Sequence, residues 1–403
     1  MQSIEHIQER QLFLFNPTSE MAIANGEIAW QPNQTLQQFE KDLELLPYLF
    51  AKDNDILIVD EIPSKKFINK LKTIKDCSPE FIRKSEIRNN FNLQNLSLQP
   101  WGWSPAAHHF LKPLKSKTSE KFRKSLNYQW DKQHKEIVSR QFSTKILNTI
   151  ISKNPSFQYL PIDRQPLKCS SIIEVEMLSQ KWGKIVLKAP WSSSGRGVQM
   201  LRQADLNASN RQWISGIIKQ QGYIMVEPLL EKQEDFSLQF HISPKGIQFL
   251  GVGKFNTNSN GQYIDNLLNP STQFIKNIIP IEDLVSHVSL ALESLNTKSL
   301  YEGFAGVDLM TIKDENESLI HPCVEVNWRY NMGLVALQLQ KLIHPEAKGK
   351  FSVFFNPKKR FREYADEAIK KYPIQQKNGK LIHGFVPLSD PDKSVSGAYI
   401  LLD

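Results

Sequence analysis

The feature that most constrains this chain is the stretch 183–198, in which an apolar run leads into a loop of small residues. The run Gly-Lys-Ile-Val-Leu-Lys predicts a buried strand, and Pro190 ends it because proline cannot donate to a sheet ladder. Three serines, a glycine, an arginine and a second glycine follow. Backbone N–H groups in such a loop can approach a ligand closely, and lysine and arginine side chains bind phosphate oxygens. A hairpin turn is the alternative interpretation, so other parts of the chain must decide.

The composition favours two or three globular domains. The 403 residues are 40% hydrophobic and 23% charged, and no apolar run approaches the roughly 18–20 residues that span a bilayer. Three widely spaced cysteines predict free thiols and a cytoplasmic location, and the N-terminus lacks a signal-peptide pattern. The net charge of +8 is dispersed along the chain, which argues against nucleic acid as a partner.

A strand–helix–strand pattern predicts a parallel α/β domain at the N-terminus. Residues 11–15 and 55–60 have the apolar character of buried strands, and 39–50 has the periodicity of a helix. The segment has no Gly-x-Gly-x-x-Gly motif, so we do not predict a nicotinamide site.

The middle and end of the chain alternate helix and strand patterns. A long helix is predicted over 130–153, and a capping-box pattern predicts another over 171–182. Strands are predicted over 222–230, 235–242 and 246–252, followed by a mobile loop over 255–272 because that segment is rich in Asn, Ser and Gly. Beyond residue 342 we expect Pro-rich loops and one helix over 361–372.

Two predicted strands, 304–312 and 319–327, place two carboxylates opposite each other. If their hairpin is centred at Asn316/Glu317, paired residue numbers sum to 633, and Asp308 faces Glu325. Like charges opposite each other destabilise a ladder, and a divalent cation reverses that effect. Asn327 lies on the same face and completes an all-oxygen set suited to Mg²⁺ or Mn²⁺. An exposed hairpin with screened charges is the alternative.

Four motifs in this order resemble the ATP-grasp superfamily: Lys188 with the loop that follows it, the segment 226–230, Asp308, and the segment 324–329. The resemblance covers about residues 130–345. It implies an α/β and α+β protein whose ATP-grasp domain, 129–345, holds ATP between two lobes, about 129–225 and 226–345. It also implies a Rossmann-like pre-ATP-grasp domain over 1–128 and leaves 346–403 as a C-terminal extension.

The resemblance assigns the nucleotide contacts. Lys188 contacts a phosphate, and Arg140 matches a further basic phosphate contact. Glu227 accepts the adenine amino proton, with Leu230 in the adjoining hinge. Either Glu234 or Asp235 takes the ribose hydroxyls, and the choice stays open. The loop that closes over the β- and γ-phosphates consists of Ser192, Ser193, Ser194, Gly195, Arg196 and Gly197.

The resemblance also assigns the reacting centre. Asp308, Glu325 and Asn327 hold one or two Mg²⁺ or Mn²⁺ ions, Arg329 stabilises an acyl phosphate, and Lys254 neutralises the transferring phosphoryl group. The implied activity is an ATP-dependent ligase that activates a carboxylate and joins it to an amine of a small molecule, amino acid or peptide. A non-catalytic nucleotide-binding regulatory or interaction protein on the same fold is the alternative. A homodimer stays open, and the sequence identifies neither substrate.

Overall fold

The computed structural model describes residues 8–88, 93–192 and 197–403. Its first unit is an α/β domain whose four strands are parallel, in the order β3-β2-β1-β4. All of β2 is buried, as expected for a parallel strand covered on both faces, and the predicted parallel α/β domain is confirmed. The elements are β1 (Arg10–Leu14), α1 (Ser19–Asn25), α2 (Gln34–Leu43), β2 (Ile56–Val59), α3 (Lys65–Lys72), β3 (Glu80–Arg83), β4 (Leu96–Pro100), α4 (Pro105–Phe110) and α5 (Glu120–Arg123).

The helix predicted over 39–50 lies earlier in the chain. The side chain of Asn33 caps α2 by accepting a hydrogen bond from the Leu36 N–H at 3.0 Å. Pro47 lies in a separate 3-10 turn over Leu46–Leu49, so the helix does not continue through it.

The long helix predicted over 130–153 is two helices, α6 (Lys132–Ile137) and α7 (Arg140–Lys153). The break occurs at Ser139, whose hydroxyl accepts a hydrogen bond from the Phe142 N–H at 3.2 Å and so starts a new helix. This break makes Arg140 the first residue of α7.

The first lobe is a four-stranded sheet in the order β5-β8-β6-β7, covered by two helices. Ser171 caps its first helix as predicted, through the Glu174 N–H. The elements are β5 (Leu167–Cys169), α8 (Ile172–Trp182), β6 (Ile185–Lys188), β7 (Val198–Leu201), α9 (Ala208–Gln221) and β8 (Ile224–Pro228).

The second lobe and the C-terminal residues build one nine-stranded sheet, in the order β13-β12-β9-β10-β11-β14-β17-β16-β15. Its elements are β9 (Glu231–Ser243), β10 (Gly246–Thr257), β11 (Tyr263–Leu268), α10 (Gln273–Lys276), α11 (Ile281–Ser294), β12 (Gly303–Asp314), β13 (Glu317–Asn327), α12 (Met332–Leu342), β14 (Gly349–Phe354), α13 (Phe361–Lys371), β15 (Gln375–Lys377), β16 (Lys380–Pro387) and β17 (Gly397–Leu402).

Two expectations about this sheet are wrong. The segment 255–272, predicted to be a mobile loop, contains the end of β10 and all of β11, which pairs with β10 and β14. The C-terminal residues, expected to be mostly loops, contribute four strands around the correctly predicted helix α13. In both segments, hydrogen bonds to distant strands override a composition typical of loops.

One hydrophobic core joins the N-terminal domain to the C-terminal residues. It contains Phe13 and Val59 from the parallel sheet, Val335 from α12, and Phe351 and Ile400 from β14 and β17. The first lobe has a separate core between its sheet and its helices. In the part of the chain that the structure describes, no helix combines the length and apolar composition that a membrane crossing requires.

We predict that Glu44→Gln changes how stability depends on pH. Burial raises the pKa of Glu44 from 4.5 to about 7, so between these values the folded protein keeps a proton that the unfolded chain has lost. The wild type therefore loses stability as the pH rises through this window, and the variant lacks that loss. Urea denaturation from about pH 5 to about pH 8 should show the variant gaining about 1–3 kcal/mol relative to wild type.

The control for this measurement is Glu27→Gln, because Glu27 is exposed in the same domain. Its free energy of unfolding should follow the wild-type pH profile. Parallel profiles for Glu44→Gln and wild type would contradict the assignment.

Candidate active site

Lys188 and Glu227 form a buried ion pair on the face of the first-lobe sheet opposite its core. The β6–β8 register places Val186 beside Glu227 and Lys188 beside Met225, so the lysine and the glutamate are diagonal neighbours on one face. The Lys188 ammonium lies 2.5 Å from the Glu227 carboxylate, and each side chain is only 9% exposed. The two side chains that the resemblance assigns to phosphate and adenine therefore neutralise each other in this structure.

The loop after Lys188 is described only at its two ends. β6 and β7 pair as an antiparallel hairpin, and the Ala189 N–H donates to the Gly197 carbonyl at 2.8 Å. A Cβ atom at Gly197 would lie 2.4 Å from the Ser192 side chain, which explains glycine at this position. The predicted phosphate contacts Ser193, Ser194, Gly195 and Arg196 lie outside the described residues.

Asp308 and Glu325 are paired across β12 and β13, as predicted. The turn itself lies one residue earlier than predicted, since Asp314 pairs with Glu317. Met310 pairs with His321, but Asp308 pairs with Glu325, so β13 has extra residues between these two pairs. This irregularity offsets the displaced turn and restores the predicted pairing of Asp308 with Glu325. Pro322 lies within this irregular part of β13, where its missing N–H costs the ladder little.

The surroundings of the two carboxylates differ. Burial, and then the charge of Glu325, raise the pKa of Asp308 to about 8, although the Asn327 amide donates to it at 2.8 Å. Burial also opposes ionisation of Glu325, but the charge and hydrogen bond of Arg140 outweigh it and lower the pKa of Glu325.

The oxygen ligands fit a divalent cation that is shared with a substrate. A cation would let both carboxylates ionise. The Asn327 amide nitrogen faces Asp308 and its carbonyl oxygen accepts from Arg329, so Asn327 would join the ligands only if its amide turned. Among the described residues no group of three His, Cys, Asp or Glu side chains forms a complete metal site. The remaining ligands would therefore be phosphate oxygens and water, as is usual for Mg²⁺.

Arg140 connects the metal candidates to the loop after Lys188. Its guanidinium donates to the Glu325 carboxylate at 2.7 Å, to the Ala189 carbonyl at 2.7 Å and to the Ser192 hydroxyl at 2.6 Å. Arg140 is buried, and its Nε has no partner among the described residues. The side chain predicted to contact phosphate thus contacts three protein acceptors, one of which is a candidate metal ligand.

Arg329 connects the same site to the N-terminal domain. Its guanidinium donates to the Asn327 side-chain oxygen at 2.9 Å and to the carboxylate of Glu20 in α1. Burial opposes the charge of Arg329, but Glu20 outweighs it and raises the pKa of the guanidinium. Sequence reasoning missed Glu20, and a single sequence contains no signal that pairs residues 309 positions apart.

Asp235 lies on the face of the large sheet that carries Asp308, whereas Glu234 and Lys254 lie on the opposite face. Asp235 pairs with Met310, which is two residues from Asp308 and so shares its face. Lys254 pairs with the core residue Phe236, and its ammonium lies 2.9 Å from Glu234. The structure therefore brings Asp235 to the site, but not Glu234 or Lys254.

Two further residues complete the description of the cleft. Leu230 follows β8 and packs against the second-lobe core, so it lies at the hinge between the lobes. His321, which sequence reasoning missed, is buried beside Met310, and its Nδ1 has no partner among the described residues. Burial, followed by the charge of Lys188, lowers the pKa of His321 to about 3, so the ring is neutral.

We predict that Glu20→Gln destabilises the fold by about 3–5 kcal/mol, because it leaves the buried Arg329 charge without its carboxylate. Urea denaturation measures the loss. Glu86→Gln is the control, since Glu86 forms an exposed ion pair with Arg83, and it should leave the midpoint unchanged. Equal midpoints for the two variants would contradict a stabilising role for the Glu20–Arg329 pair.

Comparison with known proteins supports the fold assignment. No family model matches the sequence, and no curated protein matches it. Among solved structures, the biotin carboxylase domain of Hydrogenobacter thermophilus 2-oxoglutarate carboxylase aligns at 12% identity over 98% of this chain and 86% of that one, with a TM-score of 0.50. Campylobacter jejuni biotin carboxylase aligns at 12% identity, over 98% and 87%, with a TM-score of 0.49. Staphylococcus aureus N5-carboxyaminoimidazole synthetase aligns at 10%, over 98% and 93%, with a TM-score of 0.48. The chain has the predicted fold, an ATP-grasp fold preceded by an α/β domain.

Proposed function

We propose that the protein is an ATP- and Mg²⁺-dependent ligase that activates a carboxylate as an acyl phosphate and joins it to an amine. The observation that carries the proposal is the half-buried Asp308–Glu325 pair, placed beside Asn327 and within the electrostatic influence of Lys188 and Arg329. A site with two opposed carboxylates and several cations around them suits a metal–triphosphate complex.

The nucleotide is held between the two lobes. Lys188 turns from Glu227 to a phosphate, which leaves Glu227 and the backbone near Leu230 for the adenine. Asp235 takes the ribose hydroxyls because it shares the face of the metal candidates. The serine-glycine loop covers the β- and γ-phosphates, and Arg140 holds its Ser192 end.

The reacting centre lies where β13 ends. Asp308, Glu325 and Asn327 hold one or two Mg²⁺ ions, or Mn²⁺, which would neutralise the phosphates during transfer. Arg329 orients and stabilises the acyl phosphate from its position beside Asn327. We leave Lys254 and Glu234 out of the proposal, because they lie on the opposite face of the sheet.

The charges explain why the site needs so many cations. A carboxylate that attacks a triphosphate is an anion approaching an anion, so catalysis depends on positioning and on stabilising developing charge. The chemistry requires no protein base for this step, and the incoming amine can release its proton to solvent or to the product phosphate. We propose that the carboxylate and the amine belong to small molecules, amino acids or peptides. The three cysteines are buried and free, which accords with a cytoplasmic location.

A non-catalytic nucleotide-binding protein remains the second candidate. The Hydrogenobacter domain with the shared fold was solved with MgADP and bicarbonate, so the fold accommodates a nucleotide together with a small acid. A binding protein would retain nucleotide but release no ADP. Measuring ADP release with ATP, Mg²⁺ and pooled acids, amino acids and dipeptides separates the two candidates.

We predict that Glu325→Gln lowers Mg²⁺-dependent ATP turnover by at least about a hundredfold, because it removes a charged metal ligand. The variant also removes the carboxylate that pairs with the buried Arg140, although the amide keeps an acceptor, so turnover is compared under conditions in which circular dichroism shows both proteins to be folded. Glu317→Gln is the matched control, since Glu317 is exposed on the same strand, and its turnover should equal that of wild type. Unchanged turnover in Glu325→Gln would refute the metal assignment.

We predict that Asp235→Asn raises the KM for ATP about tenfold, while Glu234→Gln leaves it unchanged. The reason is that Asp235 and Glu234 lie on opposite faces of the sheet, and only Asp235 shares the face of Asp308. Steady-state kinetics with ATP as the varied substrate measures both variants. The reverse outcome would assign the ribose contact to Glu234.

A further inference from the structure

We propose that a cavity in the N-terminal domain binds the amine substrate, an amino acid or short peptide whose ammonium group lies against Glu40. This inference rests on the proposed function, because it assigns a place to the second substrate of the ligation.

The cavity lies where ligands bind in open α/β sheets, at the carboxyl ends of the strands. It measures about 1030 Å³ and is lined by the segments that follow β1, β2, β3 and β4. The strand order β3-β2-β1-β4 changes direction between β1 and β4, and the loops that follow these two strands both line the cavity. Ser19 lines one side of this point and Ser104 lines the other.

The cavity adjoins the proposed acyl-phosphate position. Ser19 lines it, and the next residue, Glu20, binds Arg329. A Cβ atom at Gly102 would lie 2.1 Å from the Ser19 hydroxyl and 3.4 Å from the Arg329 Cβ, so a single glycine separates the cavity wall from Arg329. The cavity and Arg329 therefore lie on the two sides of Ser19 and Gly102, and Arg329 is not itself part of the lining.

The lining carries as many acidic as basic side chains, and two of them, Glu40 and Arg88, form no ion pair within the described residues. Lys41 and Lys84 are already paired with Glu61 and Asp60, at 2.7 and 2.9 Å. Glu40 accepts a hydrogen bond from the Thr18 hydroxyl at 2.5 Å, and it has no ion-pair partner in the described part of the chain. An amino acid or peptide carries a partner for each of them, an ammonium group for the half-buried Glu40 carboxylate and a carboxylate for the Arg88 guanidinium.

The rest of the lining suits an amino acid or peptide. Four glutamine side chains line the cavity and can donate to and accept from amide or carboxylate groups: Gln31, Gln34, Gln37 and Gln38. Trp30 and Phe15 offer apolar surface for a side chain. The volume is at the upper end of the range of about 300–1000 Å³ found for ligand pockets, which leaves room for a dipeptide.

Calorimetric titration of the full chain tests the proposal without requiring turnover. The probes are the individual amino acids and a set of dipeptides, each compared with its N-acetylated form. We expect at least one amine to bind, its N-acetylated form to bind at least about tenfold more weakly, and Glu40→Gln to weaken the amine to a similar extent. Ala29→Trp, at an exposed position of the lining, should also block binding.

Glu27→Gln is the control, because Glu27 is exposed and does not line the cavity; it should bind the amine as wild type does. The proposal is overturned if no amine binds, if acetylation has no effect, or if Glu40→Gln and Ala29→Trp both bind normally.

Kinetics separates this proposal from the proposed function. If amines stimulate ADP release, Glu40→Gln should raise the KM for the amine and leave the KM for ATP unchanged. Stimulation with an unchanged amine KM would refute the cavity assignment and leave the ligase standing. Amine binding that depends on Glu40 but is never accompanied by ATP turnover would refute the ligase and leave the cavity as an amine site.

Discussion

The site depends on one unfavourable contact, the two carboxylates that β12 and β13 hold directly opposite each other. Like charges in a ladder repel, and burial makes their repulsion stronger. Each carboxylate has its own donor: Arg140 binds Glu325, and the Asn327 amide binds Asp308. Because the pKa of Asp308 is also raised to about 8, that carboxyl keeps its proton near neutral pH, and the pair can persist without a metal. Because Arg140 also holds the Ala189 carbonyl and the Ser192 hydroxyl, the donor that stabilises this pair also ties the first lobe to the second.

The carboxylate pair was predictable from sequence because alternation in a strand has a period of two, which fixes the faces of both strands once they pair. The centre of the turn was predicted one residue too late, and an error of that kind normally shifts the whole register. Here the irregularity between Asp308 and Met310 compensates for it. The sequence signal for that irregularity is Pro322, a residue that disfavours a regular ladder.

Contacts between distant parts of the chain were not predictable. Arg140 and Glu325 are 185 positions apart, and Glu20 and Arg329 are 309 apart, with no local pattern that relates them. The position of Lys254 depends on the register between β9 and β10, which shifts between Phe249 and Gly251. Segment 263–268 pairs with the neighbouring β10 and with the distant β14, and no local pattern announces the second pairing, so its loop-like composition misled the prediction.

The position of Arg329 follows from how the domains share their cores. Residues of the N-terminal sheet, of α12 and of the C-terminal strands form one hydrophobic cluster, and the Tyr330 N–H donates to the Trp101 carbonyl at 2.9 Å. Arg329 is thus fixed to the N-terminal domain by its backbone neighbour and by Glu20. The first lobe has its own core. Closure on a nucleotide would therefore move the first lobe against a body that already contains the candidate metal ligands, Arg329 and the N-terminal cavity. The distance between the two proposed substrates then need not change when ATP binds.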